Sequence, residues 1–171
     1  AGNDSVFQFL ENVIAEVIPL FESDYFHIGG DECPKIRWKE CPKCQARIKE
    51  LGLKADKDHS AEEKLQSYFV QRIGKFLEQK NKKMSGWDEI LEGGLAPSAT
   101  VMSWRGEEGG IASANMGHDV IMTPGPWLYL DKYQGDSRLQ PVTIGGYLPL
   151  QKVYGYEPVP EKITEDKRHH I

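Results

Sequence analysis

An α/β fold built on a parallel sheet is what this sequence predicts, on three observations. Short apolar runs bounded by glycine and polar residues alternate with stretches of helical periodicity, the alternation that goes with strand–helix–strand units. The composition, 39% hydrophobic and 27% charged over 171 residues, is that of one globular domain or a large piece of one. Each strand candidate is followed at its C-terminal end by polar or aromatic residues, on the edge where parallel α/β proteins place their ligands.

The elements follow in order. Ser5 and Gln8 have capping-box spacing, and Phe7, Leu10, Ile14, Val17 and Phe21 recur at helical intervals, so a helix opens the chain. Pro19 and the polar Glu22-Ser23-Asp24 end it. Residues 25–28 read as a short buried strand stopped by Gly29-Gly30. A polar excursion over 33–60 contains a short helix at 42–51, with Pro42 at its first position and Gly52 closing it. Ser60 and Glu63 form a second capping box before a helix whose apolar stripe is Leu65, Tyr68, Phe69, Ile73, Phe76 and Leu77. Three further strands are predicted at 83–87, 100–105 and 119–123, with a helix-like stretch at 107–116 closed by Gly117. Beyond Gly125 the Gly-, Pro- and Tyr-rich sequence reads as a long functional loop, and 161–170 as a charged helical segment. Nothing in the composition divides the chain cleanly in two.

Charge and pattern exclude several classes of function. A net charge of −5 with no Lys/Arg block argues against nucleic acid or an anionic membrane surface as the main partner. No apolar run approaches the roughly 20 residues of a membrane span. No signal peptide precedes Ala1, and any targeting segment is expected outside this sequence. Three cysteines, Cys33, Cys41 and Cys44, are too few for a disulfide scaffold and leave the redox compartment open.

The reactive residues fall at the strand ends. Adjacent side chains on a regular strand point to opposite faces, so Asp31 and Glu32 share a pocket only if the chain leaves the strand sharply. Gly29-Gly30 permits that exit. Converging carboxylates repel, and a partly buried one is held protonated near neutral pH, as a general acid requires. The plain alternative is a helix N-terminus, where acidic residues suit the dipole. Trp87, Trp104 and Tyr129 at later strand ends can form an aromatic cage for the C–H face of a sugar, or belong to ordinary core. Trp127, between Pro126 and Leu128, reads as structural. Cys41-Pro42-Lys43-Cys44, with Cys33 and His59, is half a zinc site at most, and incidental thiols are the default. Asp88-Glu89 and Glu107-Glu108 lack the glycine exit and read as solvated helix starts, and His27 as a satisfied core histidine.

The motifs together resemble a known family. Phe26-His27-Ile28-Gly29-Gly30-Asp31-Glu32 resembles the strand-end signature of the family 20 glycoside hydrolases, the β-N-acetylhexosaminidases. Gly86-Trp87-Asp88-Glu89, Ser103-Trp104-Arg105-Gly106 and Tyr129-Leu130-Asp131 resemble the family's next strand ends, in order and spacing. The resemblance implies part of a (β/α)8 TIM barrel, roughly strands four to seven with their helices, over a single partial catalytic domain at 1–171. It also implies that an arginine gripping sugar hydroxyls, a third cage tryptophan and a partner glutamate lie outside this sequence. Little activity is therefore expected of these residues alone. Half a barrel leaves exposed edges, and dimerisation or another chain is expected to cover them.

The implied reaction is removal of terminal β-linked N-acetylhexosamine from glycans, with no metal or organic cofactor. Adjacent carboxylates suit the substrate-assisted exception among retaining glycosidases. By resemblance Glu32 is the general acid/base, and Asp31 orients the 2-acetamido group and stabilises its developing charge. Tyr129 donates to the acetamido oxygen, Trp87 and Trp104 wall its methyl group, and Asp131 binds a hydroxyl. The family's bacterial members make a periplasmic or extracellular location the expectation. Two other readings stand: a non-catalytic sugar-binding or assembly fragment, and a zinc-stabilised module built on the cysteines.

Overall fold

The computed structural model describes residues 1–171 and divides them into two units, Ala1–Thr100 and Val101–Ile171. The division falls inside a strand, where no linker composition marks it.

In the first unit, helix α1 (Asp4–Val17) is capped by Asn3, not by Ser5. Asn3 is extended and its side chain accepts the Ser5 N–H at 3.3 Å, while Asp4 places its charge in the first turn. Phe7 is fully buried between two rings of helix α4 (Ala61–Gln79), Phe69 at 4.8 Å and Tyr68 at 5.9 Å between centroids. The Arg72 guanidinium lies 3.9 Å above the Phe7 ring and pairs with Asp4, which also takes Arg47 of α3 (Pro42–Glu50) at 2.7 Å. Asp4 is therefore held below the usual carboxylate range, first by its bond to Arg47 and then by Arg72.

Strand β1 (Tyr25–His27) pairs in parallel with β2 (Lys83–Trp87), Phe26 opposite Met84 and His27 opposite Ser85. The strand is not buried as expected: Tyr25 and His27 are exposed, because β1 ends its sheet and has a strand on one side only. The polar excursion holds a helix that the sequence pattern does not mark, α2 (Ile36–Glu40), before α3. The Ser60–Glu63 capping box forms in both directions, and α4 buries Leu65, Val70, Ile73 and Leu77. Each such side chain contributes about 1.5–3 kcal/mol by leaving water. A 3-10 turn, Asp88–Leu91, follows β2.

The second unit carries most of β3 (Thr100–Ser103), parallel to β4 (Val120–Met122) with Ser103 opposite Met122. Helix α5 (Glu108–Met116), closed by Gly117, packs Ile111 and Ala114 onto Val120, Met122 and Ile163. The stretch beyond Gly125 is less irregular than its composition suggests, with α6 (Gly125–Leu128) and α7 (Leu150–Tyr154). The charged C-terminal segment is helical as expected, in the form of a 3-10 helix, Glu165–His170. No helix is long and apolar enough to cross a membrane.

Candidate active site

In the first unit the acidic pair sits in the exit from β1. Gly29, Gly30 and Glu32 all have positive φ, 73°, 99° and 44°. Glycine takes that conformation freely, but for Glu32 the left-handed region costs roughly 1–2 kcal/mol. The exit is held against this strain by its neighbours. The Ile28 N–H donates to the Ser85 carbonyl and the Trp87 N–H to the Gly29 carbonyl, each at 2.9 Å. The Gln66 side-chain amide donates to the Gly30 carbonyl at 3.1 Å. Ile90 Cγ2 lies 2.8 Å from where a Cβ on Gly30 would sit, so no larger residue fits there. Just after the acids, Lys35 pairs with Glu92 at 2.8 Å.

The Gly-Gly exit is thus present, and with it the sharp turn that the acidic pair needs. Partial burial of one carboxylate is not: Asp31 and Glu32 are both exposed. Asp31 folds back over Gly29, its Oδ1 3.4 Å from the position of a Cβ there. His27 is not a core histidine either. It is exposed, its Nδ1 accepts the Gly29 N–H at 3.1 Å, and its ring stands edge-on to Trp87 at 5.0 Å. Partial desolvation of the imidazole nonetheless lowers its pKa, while the Asp31 charge pulls it back up. Trp87 ends β2 half-buried. Asp88 and Glu89 overturn their solvated reading, at 2% and 5% exposed, because the 3-10 turn folds both inward beneath the strand end.

The second unit holds the other aromatics. Trp104 follows β3 and Tyr129 follows α6, and their rings stack at 6.3 Å with 13° between planes. The Gly125 N–H donates to the Trp104 carbonyl at 2.8 Å and ties the two segments together, and a Cβ there would only touch the Tyr129 ring, at 3.4 Å. Lys132 Nζ donates to the Gly125 carbonyl at 2.9 Å and fixes the turn from its far side. Asp131 is exposed two residues beyond Tyr129, its carbonyl accepting the Ile144 N–H at 3.3 Å. Trp127 is structural, packed 5.5 Å from the Tyr156 ring. One unit therefore groups Asp31, Glu32 and Trp87, and the other groups Trp104 and Tyr129 with Asp131 close in sequence.

The thiols form a different feature. Cys41 caps α3 and Cys44 is buried one turn on, and the Cys44 N–H and thiol hold Cys41 below the usual thiol range. No group of three or more His, Cys, Asp and Glu side chains is arranged to hold a metal ion. Sequence reading missed Gln66. Its signal was there: position 66 lines up with Val70, Ile73 and Leu77 on the buried face of α4, where a polar side chain needs a partner.

Comparison with known proteins gives the family and the fold. The model of the catalytic domain of glycosyl hydrolase family 20 matches residues 1–171. A β-hexosaminidase of Porphyromonas gingivalis is 60% identical over 100% of this chain and 21% of its own length. A β-hexosaminidase of Vibrio furnissii is 37% identical over 94% of this chain and 26% of its own. Among solved structures, a family 20 exo-β-N-acetylglucosaminidase from Vibrio harveyi, in complex with N-acetylglucosamine, superposes with a TM-score of 0.79 at 32% identity. That match covers 95% of this chain and 25% of the Vibrio harveyi one. The chain thus spans about a fifth to a quarter of the length of these relatives. Its α/β fold is part of a (β/α)8 barrel, as the sequence predicts.

Proposed function

The chain belongs to glycosyl hydrolase family 20, and from that premise we propose that the enzyme carrying these residues removes terminal, non-reducing β-linked N-acetylhexosamine from glycans, with retention and with the substrate as nucleophile. The observation that carries this reading is the pinned Gly29–Glu32 exit, which sets two neighbouring carboxylates on a strained turn at a strand end. Retaining glycosidases that use an enzyme nucleophile need two opposed carboxylates about 5–5.5 Å apart, a role that sequence neighbours suit poorly. The Vibrio harveyi relative's name, exo-β-N-acetylglucosaminidase, supports the choice of sugar.

In the proposed first step the substrate's acetamido oxygen attacks the anomeric carbon while Glu32 gives its proton to the departing glycosidic oxygen. An oxazolinium ion results. Water then attacks the same carbon, Glu32 takes the water's proton, and the ring opens to a β-configured sugar. Asp31 accepts the acetamido N–H and faces the positive charge as it develops. Tyr129 donates to the acetamido oxygen, Trp87 and Trp104 enclose its methyl group, and Asp131 takes a hydroxyl. A bound sugar covering the exposed Glu32 supplies the desolvation that a general acid needs. We place the enzyme in the periplasm or outside the cell, where such glycans occur.

Hydrolysis of an aryl β-N-acetylglucosaminide, followed by NMR of the first-formed sugar, tests the reading. The expected product is the β-anomer. An α-product, or binding of the sugar with no turnover by the enzyme, overturns it, the latter in favour of a sugar-binding role.

A further inference from the structure

The least expected polar group in the first unit is Gln66. Its side chain is 4% exposed, in the middle of α4 and on the face that carries Val70, Ile73 and Leu77. Its Nε2 donates to the Gly30 carbonyl at 3.1 Å, while its Oε1 is buried with no hydrogen-bond partner. A carbonyl can only accept, so Gly30 dictates which end of the amide faces it. The other end is left unsatisfied, a cost that an apolar side chain of the same size would avoid. A group retained for stability alone gains little from that arrangement.

Its partner has a specific place in the fold. The Gly29 carbonyl is already taken by the Trp87 N–H of β2, and the Gly30 carbonyl is the last backbone acceptor before Asp31. The peptide whose rotation Gln66 fixes therefore leads directly into the two carboxylates. Glu32 is held at a φ of 44°, which is strained for a residue with a side chain, so this turn has reason to relax once released. Ile90 Cγ2 fills the place a Gly30 Cβ would take, and a methyl group offers the Gly30 carbonyl no hydrogen bond.

We propose that Gln66 is a positioning residue for the Asp31–Glu32 pair: its amide locks the Gly30 carbonyl and so sets the backbone rotation that aims both carboxylates. The inference rests on the reading of that pair as the catalytic acids. A misplacement on the order of 1 Å from a residue remote from the chemistry can lower turnover about 100-fold.

The test uses the enzyme that carries these residues, with kcat, KM and the thermal midpoint measured for three variants. Gln66→Leu is expected to lower kcat by about 10- to 100-fold on both an aryl N-acetylglucosaminide and an unactivated disaccharide. KM should stay within about threefold, since binding groups elsewhere are untouched. The midpoint should change little, because the unsatisfied Oε1 is gone while the Gly30 carbonyl loses its donor. Gln66→Glu can donate to Gly30 only when protonated, so its kcat relative to the parent should climb as pH falls, whereas the Gln66→Leu ratio stays flat. Gln71→Leu, one turn along the same helix and bonded only to Ser67 at 3.0 Å, should leave kcat unchanged. Unchanged kcat in Gln66→Leu overturns the inference, as does a kcat loss matched by a lower midpoint with a flat Gln66→Glu ratio, which marks a packing role. Glu32→Gln in the same enzyme separates the two levels. If it leaves disaccharide turnover intact, the catalytic pair itself is wrong; if it abolishes turnover and Gln66→Leu does not, this inference alone fails.

Discussion

The acid-bearing exit of the first unit and the aromatic turn of the second hold their functional groups by opposite means. At 29–32 the side chains are exposed and the backbone is constrained, with three positive φ angles and carbonyls fixed by Trp87 and Gln66. At 104–131 the rings constrain one another, Trp104 stacked on Tyr129 beside the bond from the Gly125 N–H to the Trp104 carbonyl. Carboxylates must be free to exchange protons and meet substrate, so their support has to come through the main chain. Aromatic walls need only present a face, and packing can fix that. Damage should therefore spread differently: at the exit it should travel through glycines and the backbone, at the turn through ring size.

The largest effect should come from the exit. Glu32→Gln is expected to cut turnover of an unactivated disaccharide by about 10²–10⁴-fold, the usual worth of general acid–base catalysis, and to cost less with an acidic phenol leaving group. Steady-state kinetics on both substrates checks this. If Asp31 serves the acetamido group and not the leaving group, as proposed, Asp31→Asn should lower both substrates alike, by roughly 10²–10³-fold. Gly30→Ala tests the backbone half of the comparison without touching a carboxylate. Strain at positive φ, of order 1–3 kcal/mol, adds to the clash with Ile90, and thermal unfolding should record a loss of at least that size. Tyr129→Phe keeps the stacked ring and removes one hydroxyl, so the fold should be unaffected while kcat falls about 10- to 100-fold, equivalent to some 1.4–2.7 kcal/mol.

The smallest effect lies away from both regions and calibrates them. Ser60→Ala should cost about 1 kcal/mol by removing the cap of α4. The Ser60 N–H, and then its hydroxyl, hold Glu63 below the usual carboxylate range. A pKa lowered on folding gives stability that is present above the unfolded value of about 4.3 and is lost as pH falls through the lower folded value. Unfolding at pH 7 and pH 3 should therefore differ less for Glu63→Gln than for the parent.

What was legible in the sequence divides along the same line. Strand ends were readable because glycine, Trp and paired acids are local signals, and Gly29-Gly30 before Asp31-Glu32 announced the turn that the backbone makes. The capping box at Ser60 was readable because both of its halves lie within four residues, whereas at the first helix Asn3 competes with Ser5 and caps equally well. Exposure was not readable. Residues 25–27 look apolar but end a sheet, and Asp88-Glu89 look solvated but are turned inward by a 3-10 turn that no single residue marks. Gln66 was missed because its partner is 36 positions away and is a carbonyl, which carries no residue identity.

The central claim is that the nucleophile belongs to the substrate and that Asp31 and Glu32 serve it. The most direct measurement is kcat for aryl β-glycosides whose acetamido methyl carries zero to three fluorines, with the leaving group held constant. Each fluorine withdraws electrons from the amide oxygen that must attack. The account predicts a steady fall, more than about 100-fold or ~2.7 kcal/mol across the series. A flat series, with a sugar found covalently attached to Asp31 or Glu32, would contradict it.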